Sequence, residues 1–369
     1  MTNDIGDAWY TIPGPENDVV LSTRIRLARN LVNFPFPQRF SHDDGERIQS
    51  LVFDAFSHIK DSHRYQALGV KKLDSLGQQV LVERGILQAE YLQNPVSGVV
   101  IKADGCLACE INTEDHLRII SLCSGIDTHT VYTAAKSIDE DLQNTLQIAA
   151  SVDFGYLTCR LNNLGTAMKL SVFVHLPSLS YTNRENQDFV NLCTLAEEQG
   201  FSIAPAFATS AQNDDFFSAA SGACYQVSTN LCFSQTEEDQ IKVFDQIIKS
   251  IIDAERIQRE KMIDNHPTAL RDCVYKALAT IKYSRLLTEK EGIDLLFRIK
   301  WGKDTGIITG TEDSVLSGLL YRIRDAHIAF VNKTEQFKFE KDINSSEKQR
   351  DRLRSLIMQE ATENIQIYS

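Results

Sequence analysis

The 369 residues suffice for about two domains of ordinary size, each able to bury its own core. With 43% hydrophobic and 24% charged residues, the composition is that of a globular chain and excludes a disordered tail, a collagen and a small disulfide scaffold. The net charge of −12 repels phosphate backbones and anionic membranes, so we expect no nucleic-acid partner and no membrane partner. A local basic pocket for a nucleotide is still compatible with this charge.

The N-terminus and the cysteines indicate a cytoplasmic setting. Residues 1–7 lack the basic start and apolar run of a signal peptide, and no run of about 18 apolar residues predicts a membrane span. Of eight scattered cysteines, only Cys106 and Cys109 have ligand-like spacing. They lie in an alternating run that predicts a strand, which would point the two thiols to opposite faces, so we expect no metal site. The cysteines are therefore expected to be small buried residues in a reducing compartment.

The first two-thirds of the chain mixes helical and strand patterns. Apolar residues at helical spacing predict an amphipathic helix over residues 43–60. Strand patterns follow at residues 98–103, 105–112, 153–160, 167–176, 201–209 and 223–231. Short turns separate many of them, which favours an antiparallel or mixed sheet over a doubly wound one.

The pattern becomes helical from residue 236. Thr236 followed by three acidic residues is typical of a helix start, and the apolar spacing predicts a long helix that ends near residues 265–267. Further helices are predicted over residues 270–284, from 288 onward, over 311–324 and over 350–361, with a polar surface linker at 336–348. The sequence thus predicts an α+β domain over residues 1–255 and an all-helical domain over 256–369.

The run from Ser22 to Arg26 is the first candidate for chemistry. If this run is a strand, its side chains alternate between two faces, so that Arg24 and Arg26 share one face while Ile25 lies on the other. Two neighbouring guanidinium groups suit a polyphosphate, because each can bind its oxygens in a bidentate manner. Taken alone, however, the run favours a solvated strand face.

A second run, residues 110–118, begins at the end of a predicted strand and contains carboxylates, an imidazole and an arginine. A carboxylate such as Glu114, beside the basic Arg118, could orient and deprotonate a nucleophile, whereas an acidic helix start is the commoner explanation. The chain has neither a Walker loop nor a G-x-G-x-x-G motif, which excludes ordinary P-loop and protein-kinase chemistry.

These two runs and several later segments together resemble one known family. Residues 22–30, 35–37 and 112–118 resemble the phosphagen (guanidino) kinase superfamily, as do residues 155–166 leading into 171–177, and residues 225–228 with 235–239. Residues 277–310 resemble the helical tail of bacterial protein-arginine kinases. Residues 350–355 are similar to the phosphoarginine-binding R-D-x-x-R-A signature of those kinases, with Ser355 in place of Ala. The likeness covers nearly the whole chain.

The resemblance implies a phosphagen-kinase-like domain with a curved, mainly antiparallel sheet, which transfers the γ-phosphoryl group of ATP with Mg²⁺ to a guanidinium of protein arginine. By motif, Glu114 would be the catalytic carboxylate. The nucleotide site would comprise Ser22, Thr23, Arg24, Ile25, Arg26, Arg118 and Lys169, and the phosphoarginine site Arg350, Asp351 and Arg354. The implied partners are arginine-containing or arginine-phosphorylated proteins, a zinc-binding activator protein, a Clp-type protease and a second copy of the chain.

The chain departs from the family pattern at five places. Thr113 stands where the family has a second glutamate, and Lys169 replaces an arginine. Arg160 falls at the reactive-cysteine position, so that Cys159 is expected to be a buried strand residue on the opposite face. Gly85 stands where the family has a nucleotide-loop histidine. Residues 211–219 lack the Arg, Gly and Glu of the family's loop and carry Asp214 and Asp215 instead.

These departures favour a catalytically impaired protein-arginine kinase that acts as a phosphoarginine-binding or regulatory module in protein quality control. The alternative is an active ATP-dependent protein-arginine kinase with an atypical nucleotide loop; the helical tail disfavours a small-molecule guanidino kinase. On a helix, Arg350 and Arg354 share a face. We expect Asp351→Ala or Arg354→Ala to remove phosphoarginine binding at a nearly unchanged melting temperature. The competing interpretation is an exposed helix with ion pairs to Glu347 or Glu360.

Overall fold

The structure, a computed structural model, describes residues 8–207, 220–230, 232, 236–335 and 337–368, with the backbone alone for residues 184–186. The strands in chain order are β1 (Val20–Arg29), β2 (Tyr65–Gly69), β3 (Gly98–Lys102), β4 (Leu107–Ile111), β5 (Leu117–Ser124), β6 (Ala150–Ser151), β7 (Gly155–Tyr156), β8 (Met168–His175), β9 (Phe201–Pro205), β10 (Cys224–Thr229), β11 (Ile308–Thr309) and β12 (Gln366–Ile367). Eight of them form one sheet in the order β2-β3-β4-β5-β1-β8-β10-β9, and every neighbouring pair is antiparallel.

The described residues form eleven α-helices. They are α1 (His42–His58), α2 (Ser75–Glu83), α3 (Thr128–Gln143), α4 (Pro177–Asn186), α5 (Asp188–Glu198), α6 (Glu237–Asn265), α7 (Pro267–Tyr283), α8 (Glu289–Asp304), α9 (Asp313–Arg322), α10 (Asp325–Thr334) and α11 (Ser346–Ala361). The Thr236 side chain accepts the backbone N–H of Asp239 at the start of α6, as the sequence predicts. No helix in these described ranges is long and apolar enough to cross a bilayer.

One face of the main sheet packs against the largest core, and β3, β4 and β5 also pack against a smaller core on the other face. Ile25 and Leu27 of β1 lie in the largest core with Val172 of β8, and all three are buried. Residues Phe56 from α1 and Phe244 from α6 belong to the same core. Because successive strand residues alternate between faces, Arg24 and Arg26 of β1, Arg118 of β5 and Lys169 of β8 lie on the other face.

The two larger cores meet along α6. Its first part contributes residues such as Phe244 and Ile248 to the core under the sheet, whereas Met262 near its end belongs to a second core built from α7, α8, α9 and α11. The α+β fold with a mainly antiparallel sheet and a helical C-terminal region is confirmed. In the described part of that region, the only strands are the two-residue β11 and β12, which pair with each other.

Several element predictions were wrong in detail. The strand predicted over 153–160 shrinks to β7, which pairs with β6 in a separate two-stranded ribbon and forms isolated bridges with Gly165. The elements without an individual prediction include strands β2 and β5 and helices α2, α3, α4, α5 and α10. The polar linker is shorter than 336–348, since α11 begins at Ser346; residue 336 lies outside the described part, as do residues 208–209 and 231 of two predicted strands.

A buried ion pair ties β1 to α3. Arg29 Nε and Nη2 donate to the two carboxylate oxygens of Asp139 at 2.9 and 2.8 Å, and both side chains are almost fully buried. The Arg29 guanidinium also lies 3.5 Å from the centroid of the Tyr156 ring. The pair thus holds the end of the central strand against the helix layer.

We expect Asp139→Ala to lower the free energy of unfolding by about 3–5 kcal/mol, because the variant leaves the Arg29 guanidinium buried and unpaired. The matched control is Glu140→Ala, which removes the next, exposed carboxylate of the same helix and should cost under about 0.5 kcal/mol. Urea unfolding of both variants measures the difference. Equal losses would show that the pair does not anchor β1.

Candidate active site

Three strands bring cationic side chains to one face of the sheet. Arg24 and Arg26 of β1 lie opposite Ser171 and Lys169 of β8, and Arg118 of β5 lies opposite the next residue of the same β1 face, Ala28. These positions are close because the ladder register sets cross-strand partners about 5 Å apart. The structure thus gathers Ser22, Arg24, Arg26, Arg118 and Lys169 on one surface.

Two of the residues assigned to the nucleotide site do not face this surface. Ile25 is fully buried in the apolar core. Thr23 is also fully buried, and its hydroxyl donates to the carbonyl of Gly125 at 2.7 Å. Their side chains lie on the opposite face of β1, where they cannot contact a ligand on the cationic face.

The cations perturb one another. Burial lowers the pKa of Arg24 to about 10, and the neighbouring Arg26 guanidinium adds to the effect while Glu110 opposes it. Burial and Arg26 likewise lower the pKa of Arg118 to about 10, and they lower the pKa of Lys169. The Arg24 Nε atom is buried without a hydrogen-bond partner among the described residues. Such crowded, undersatisfied donors are suited to an anion.

A cavity of about 200 Å³ opens beside these cations. Ser22, Arg24 and Ser171 line it from the sheet, and Tyr321 and Arg324 close it from the helical region. No sequence motif indicated the last two residues, since only the packing of α9 against the sheet brings them there.

Gly85, where the family pattern leads us to expect a histidine, also lines this cavity. Its φ is +67°, and a Cβ atom there would meet nothing within 4 Å. The backbone at Gly85 is left-handed, which a glycine adopts without cost. The missing side chain therefore leaves open space at the cavity.

The second run forms the turn between β4 and β5, so the acidic helix start is wrong. Asn112 adopts a positive φ of 54°, and its N–H donates to the carbonyl of His116 at 3.0 Å. His116 has a structural role: its Nδ1 accepts the Leu31 N–H at 3.0 Å, and Nε2 lies 2.9 Å from the Pro35 carbonyl.

Acidic side chains of this turn surround Arg118. Glu110 lies directly across the ladder from Arg118, with Nη1 and Oε2 3.5 Å apart. Glu114 pairs with Arg118 Nη2, and Asp115 lies 3.8 Å from Arg118 Nε. Thr113, at the place of the family's second glutamate, donates its hydroxyl to Glu110 at 3.3 Å. The turn thus places the buried carboxylate of Glu114 at the edge of the cationic face.

Arg160 contacts the same carboxylate. Its Nε pairs with Oε1 of Glu114, the oxygen not used by Arg118. The Glu114 side chain is 6% exposed, whereas the Arg160 side chain is 64% exposed. The ungapped match placed Arg160 at the reactive-cysteine position, and the structure brings this residue to Glu114.

Cys159 does not lie in a strand, contrary to the prediction, because the chain bends here between β7 and a short 3-10 turn at Leu161–Asn163. The residue is partly buried, and its N–H donates to Asp115 at 2.9 Å. Burial, followed by the negative charge of Asp115, raises the pKa of the Cys159 thiol to about 12. Residues 211–219 and Gln235 lie outside the described part of the chain.

The C-terminal motif is more buried than expected. Arg354 is fully buried and donates to the carbonyls of Ile323 and Leu287 at 2.8 and 2.6 Å, to Asp351 at 2.8 Å and to Asp325. The expectation that Arg354→Ala leaves the melting temperature unchanged is therefore wrong, since it would remove four hydrogen bonds from the interior.

Arg350 and Asp351 remain accessible. The Arg350 side chain is 29% exposed and its Nε lies 3.5 Å from Asp325, so its observed partner is neither Glu347 nor Glu360. The Asp351 side chain is 19% exposed and accepts from Arg354. These two residues are the part of the motif that a ligand can reach.

Two family models cover most of the chain. Residues 47–258 match the ATP:guanido phosphotransferase C-terminal catalytic domain, and residues 267–365 match the Protein-arginine kinase McsB C-terminal domain. The chain belongs to the protein-arginine kinase family. The division between the two matches falls within and just after α6.

Curated relatives of this family match along nearly their whole length. The protein-arginine kinase of Desulforamulus reducens is 30% identical over 355 residues, which cover 94% of this chain and 96% of that protein. The one from Staphylococcus saprophyticus is 33% identical over 313 residues, or 84% and 87% of the two chains.

Solved phosphagen kinases share the fold. A duplicated taurocyamine kinase from Schistosoma mansoni, with bound components of a transition-state analogue, matches with a TM-score of 0.58 and 20% identity. The match covers 75% of this chain and 40% of that one. A lombricine kinase matches with a TM-score of 0.54 and 18% identity, covering 69% and 72% of the two chains.

The raised pKa of Cys159 predicts slow alkylation of its thiol in the folded protein. At pH 7.5 the thiolate fraction is on the order of 10⁻⁴ or less, so iodoacetamide should react at least about 100-fold more slowly than with the urea-unfolded chain. Because the pKa is raised, the rate should climb with pH through pH 10 without a plateau. Mass spectrometry resolves the modified cysteine; rapid alkylation of Cys159 that ATP prevents would contradict this prediction.

Proposed function

We propose that this member of the protein-arginine kinase family transfers phosphoryl groups poorly and acts as a phosphoarginine-binding or regulatory module in protein quality control. The observation that carries the proposal is that both carboxylate oxygens of Glu114 are already paired, one with Arg118 and the other with Arg160. A kinase of arginine needs a carboxylate that holds the acceptor guanidinium and takes its proton, because the free group has a pKa above about 12. The resident arginines oppose both tasks.

The nucleotide site supports weak binding of ATP with Mg²⁺. Arg24, Arg26 and Arg118 would hold phosphate oxygens, and the unpartnered Nε of buried Arg24 supports this assignment. Lys169 offers a point charge in place of a bidentate fork, and Gly85 offers no side chain. The Mg²⁺ ion of the nucleotide would be held chiefly by the phosphates, as is usual for this ion.

An active kinase with an atypical nucleotide loop is the second candidate. One observation favours it: the register of β1, β5 and β8 assembles Arg24, Arg26 and Arg118 beside Glu114. In this reaction the bond from the γ-phosphorus to the bridging oxygen of ATP breaks and a bond to an arginine nitrogen forms. Glu114 would accept the proton that the nitrogen loses, and the cations would stabilise the transferring group.

The partners of this function are proteins that carry arginine or phosphoarginine. The net charge of −12 supports attraction of arginine-rich segments. A zinc-binding activator protein, a Clp-type protease and a second copy of the chain are further proposed partners that rest on the family likeness. All eight cysteines are free, which supports a cytoplasmic, reducing setting.

Calorimetric titration with ATP·Mg should give weak binding to the wild-type chain, and a parallel assay should give little or no acid-labile phosphoarginine on an arginine-rich protein. Arg24→Ala and Arg26→Ala should each weaken ATP binding about tenfold, because each removes charge-assisted contacts to phosphate. Arg271→Ala, on an exposed position of α7, is the control and should change nothing. A robust ATP-dependent rise in phosphoarginine that Glu114→Gln abolishes would establish the active kinase instead.

Free phosphoarginine should bind to the C-terminal motif with Arg350 facing its phosphoryl group and Asp351 facing its guanidinium. We expect Arg350→Ala and Asp351→Ala to abolish the calorimetric signal. Arg350→Ala should leave the melting temperature within about 2 °C of the wild-type value, as is usual for a partly exposed charge. Asp351→Ala should lower the melting temperature, because it removes one hydrogen-bond partner of the buried Arg354. Glu347→Ala in the first turn of α11 is the matched control. No heat with the wild-type chain would end the phosphoarginine-binding hypothesis.

A further inference from the structure

A guanidinium from the chain itself lies at the carboxylate that the proposed function assigns to the acceptor arginine. Arg160 reaches Glu114 from a surface bend, and its Nε pairs with Oε1. Arg118 occupies the other oxygen and also lies near Glu110 and Asp115, so it belongs to the buried network of the turn. Arg160 is the exposed member of the cluster.

The bend that carries Arg160 is held on both sides. The N–H of Cys159 donates to Asp115 at 2.9 Å, and Asn30 donates both to Asp115 and to the carbonyl of Leu157, at 2.8 and 3.0 Å. On the other side, the Arg160 carbonyl accepts the Thr158 hydroxyl at 2.9 Å and the Asn163 N–H at 3.0 Å. These backbone contacts fix the origin of the Arg160 side chain next to the turn that bears Glu114.

The side chain itself is held less firmly. It is 64% exposed, and in the described part of the chain its ion pair with Glu114 is the only one recorded for it. Its charge acts on Lys169, and Arg118 shares the Glu114 carboxylate with it, so like charges oppose its position. An exposed arginine with one carboxylate partner exchanges readily with solvent or with a competing cation.

We propose that Arg160 is a built-in competitor of the acceptor arginine, which occupies the guanidinium position at Glu114 until a protein arginine displaces it. The inference rests on the proposed function in one respect, namely that Glu114 is the carboxylate that receives the acceptor. Both ligands are guanidinium groups, so they present the same charge and the same planar N–H donors to the same oxygen. Arg160 thereby weakens acceptor binding and helps to set which arginines enter the site.

The test is calorimetric titration of the full-length chain with N-acetyl-arginine amide, without nucleotide. Arg160→Ala and Arg160→Met both remove the competing charge, and the second keeps the length and packing of the side chain. Each should bind the probe about fivefold more tightly than the wild-type chain, the size expected when a largely exposed ion pair no longer competes. Arg271→Ala should bind like the wild type, and N-acetyl-lysine amide should show a smaller gain or none, because it lacks the planar fork.

Equal or weaker binding of the probe by both Arg160 variants would overturn the inference, and so would undetectable binding by every variant. The fold of each variant is checked by its melting temperature, which should not change, since the Arg160 side chain is mainly in solvent. A phosphoarginine assay run beside the titration separates the two proposals. High turnover by the wild-type chain refutes the impaired kinase but leaves the affinity comparison intact, whereas equal affinities refute the competitor and leave the turnover result intact.

Discussion

The antiparallel register of β1 with β5 and β8 is the constraint on which the rest of the structure depends. It places Arg24 and Arg26 opposite Ser171 and Lys169, and Arg118 one pair further along. The same alternation places Ile25 in the apolar core, so the residues that build the core also determine where the charges lie. A slip of one residue in β1 would bury the guanidinium groups and expose the core.

The charge at the site contrasts with that of the whole chain, which is −12. Burial lowers the pKa values of Arg24 and Lys169, and the neighbouring Arg26 guanidinium adds to the effect. Carboxylates of the β4–β5 turn balance only part of this charge. The remaining positive charge favours an anionic ligand on the sheet, while Glu114 at the edge of the sheet is suited to a guanidinium. A guanidino phosphotransferase joins these two kinds of ligand.

The C-terminal helical region contributes residues to the cavity beside the cationic face. Tyr321 and Arg324 close the cavity over β1 and β8, and the N–H of Ala326 donates to Glu83 at the end of α2 at 2.8 Å. Arg354 bonds the segments around Leu287 and Ile323 from inside. Arg354 of the C-terminal motif thus stabilises the region that carries Arg350 and Asp351.

Local periodicity and capping are enough to predict the α+β class, the long helix from Thr236, the helical C-terminal region and the alternation of Arg24 and Arg26. The motifs of the sequence also indicated Glu114 and Arg118. Tertiary structure alone decided the burial of Arg354, the closure of the cavity by Tyr321 and the pairing of Arg160 with Glu114. Each of these joins segments far apart in the chain, and no local pattern encodes which distant surfaces will meet.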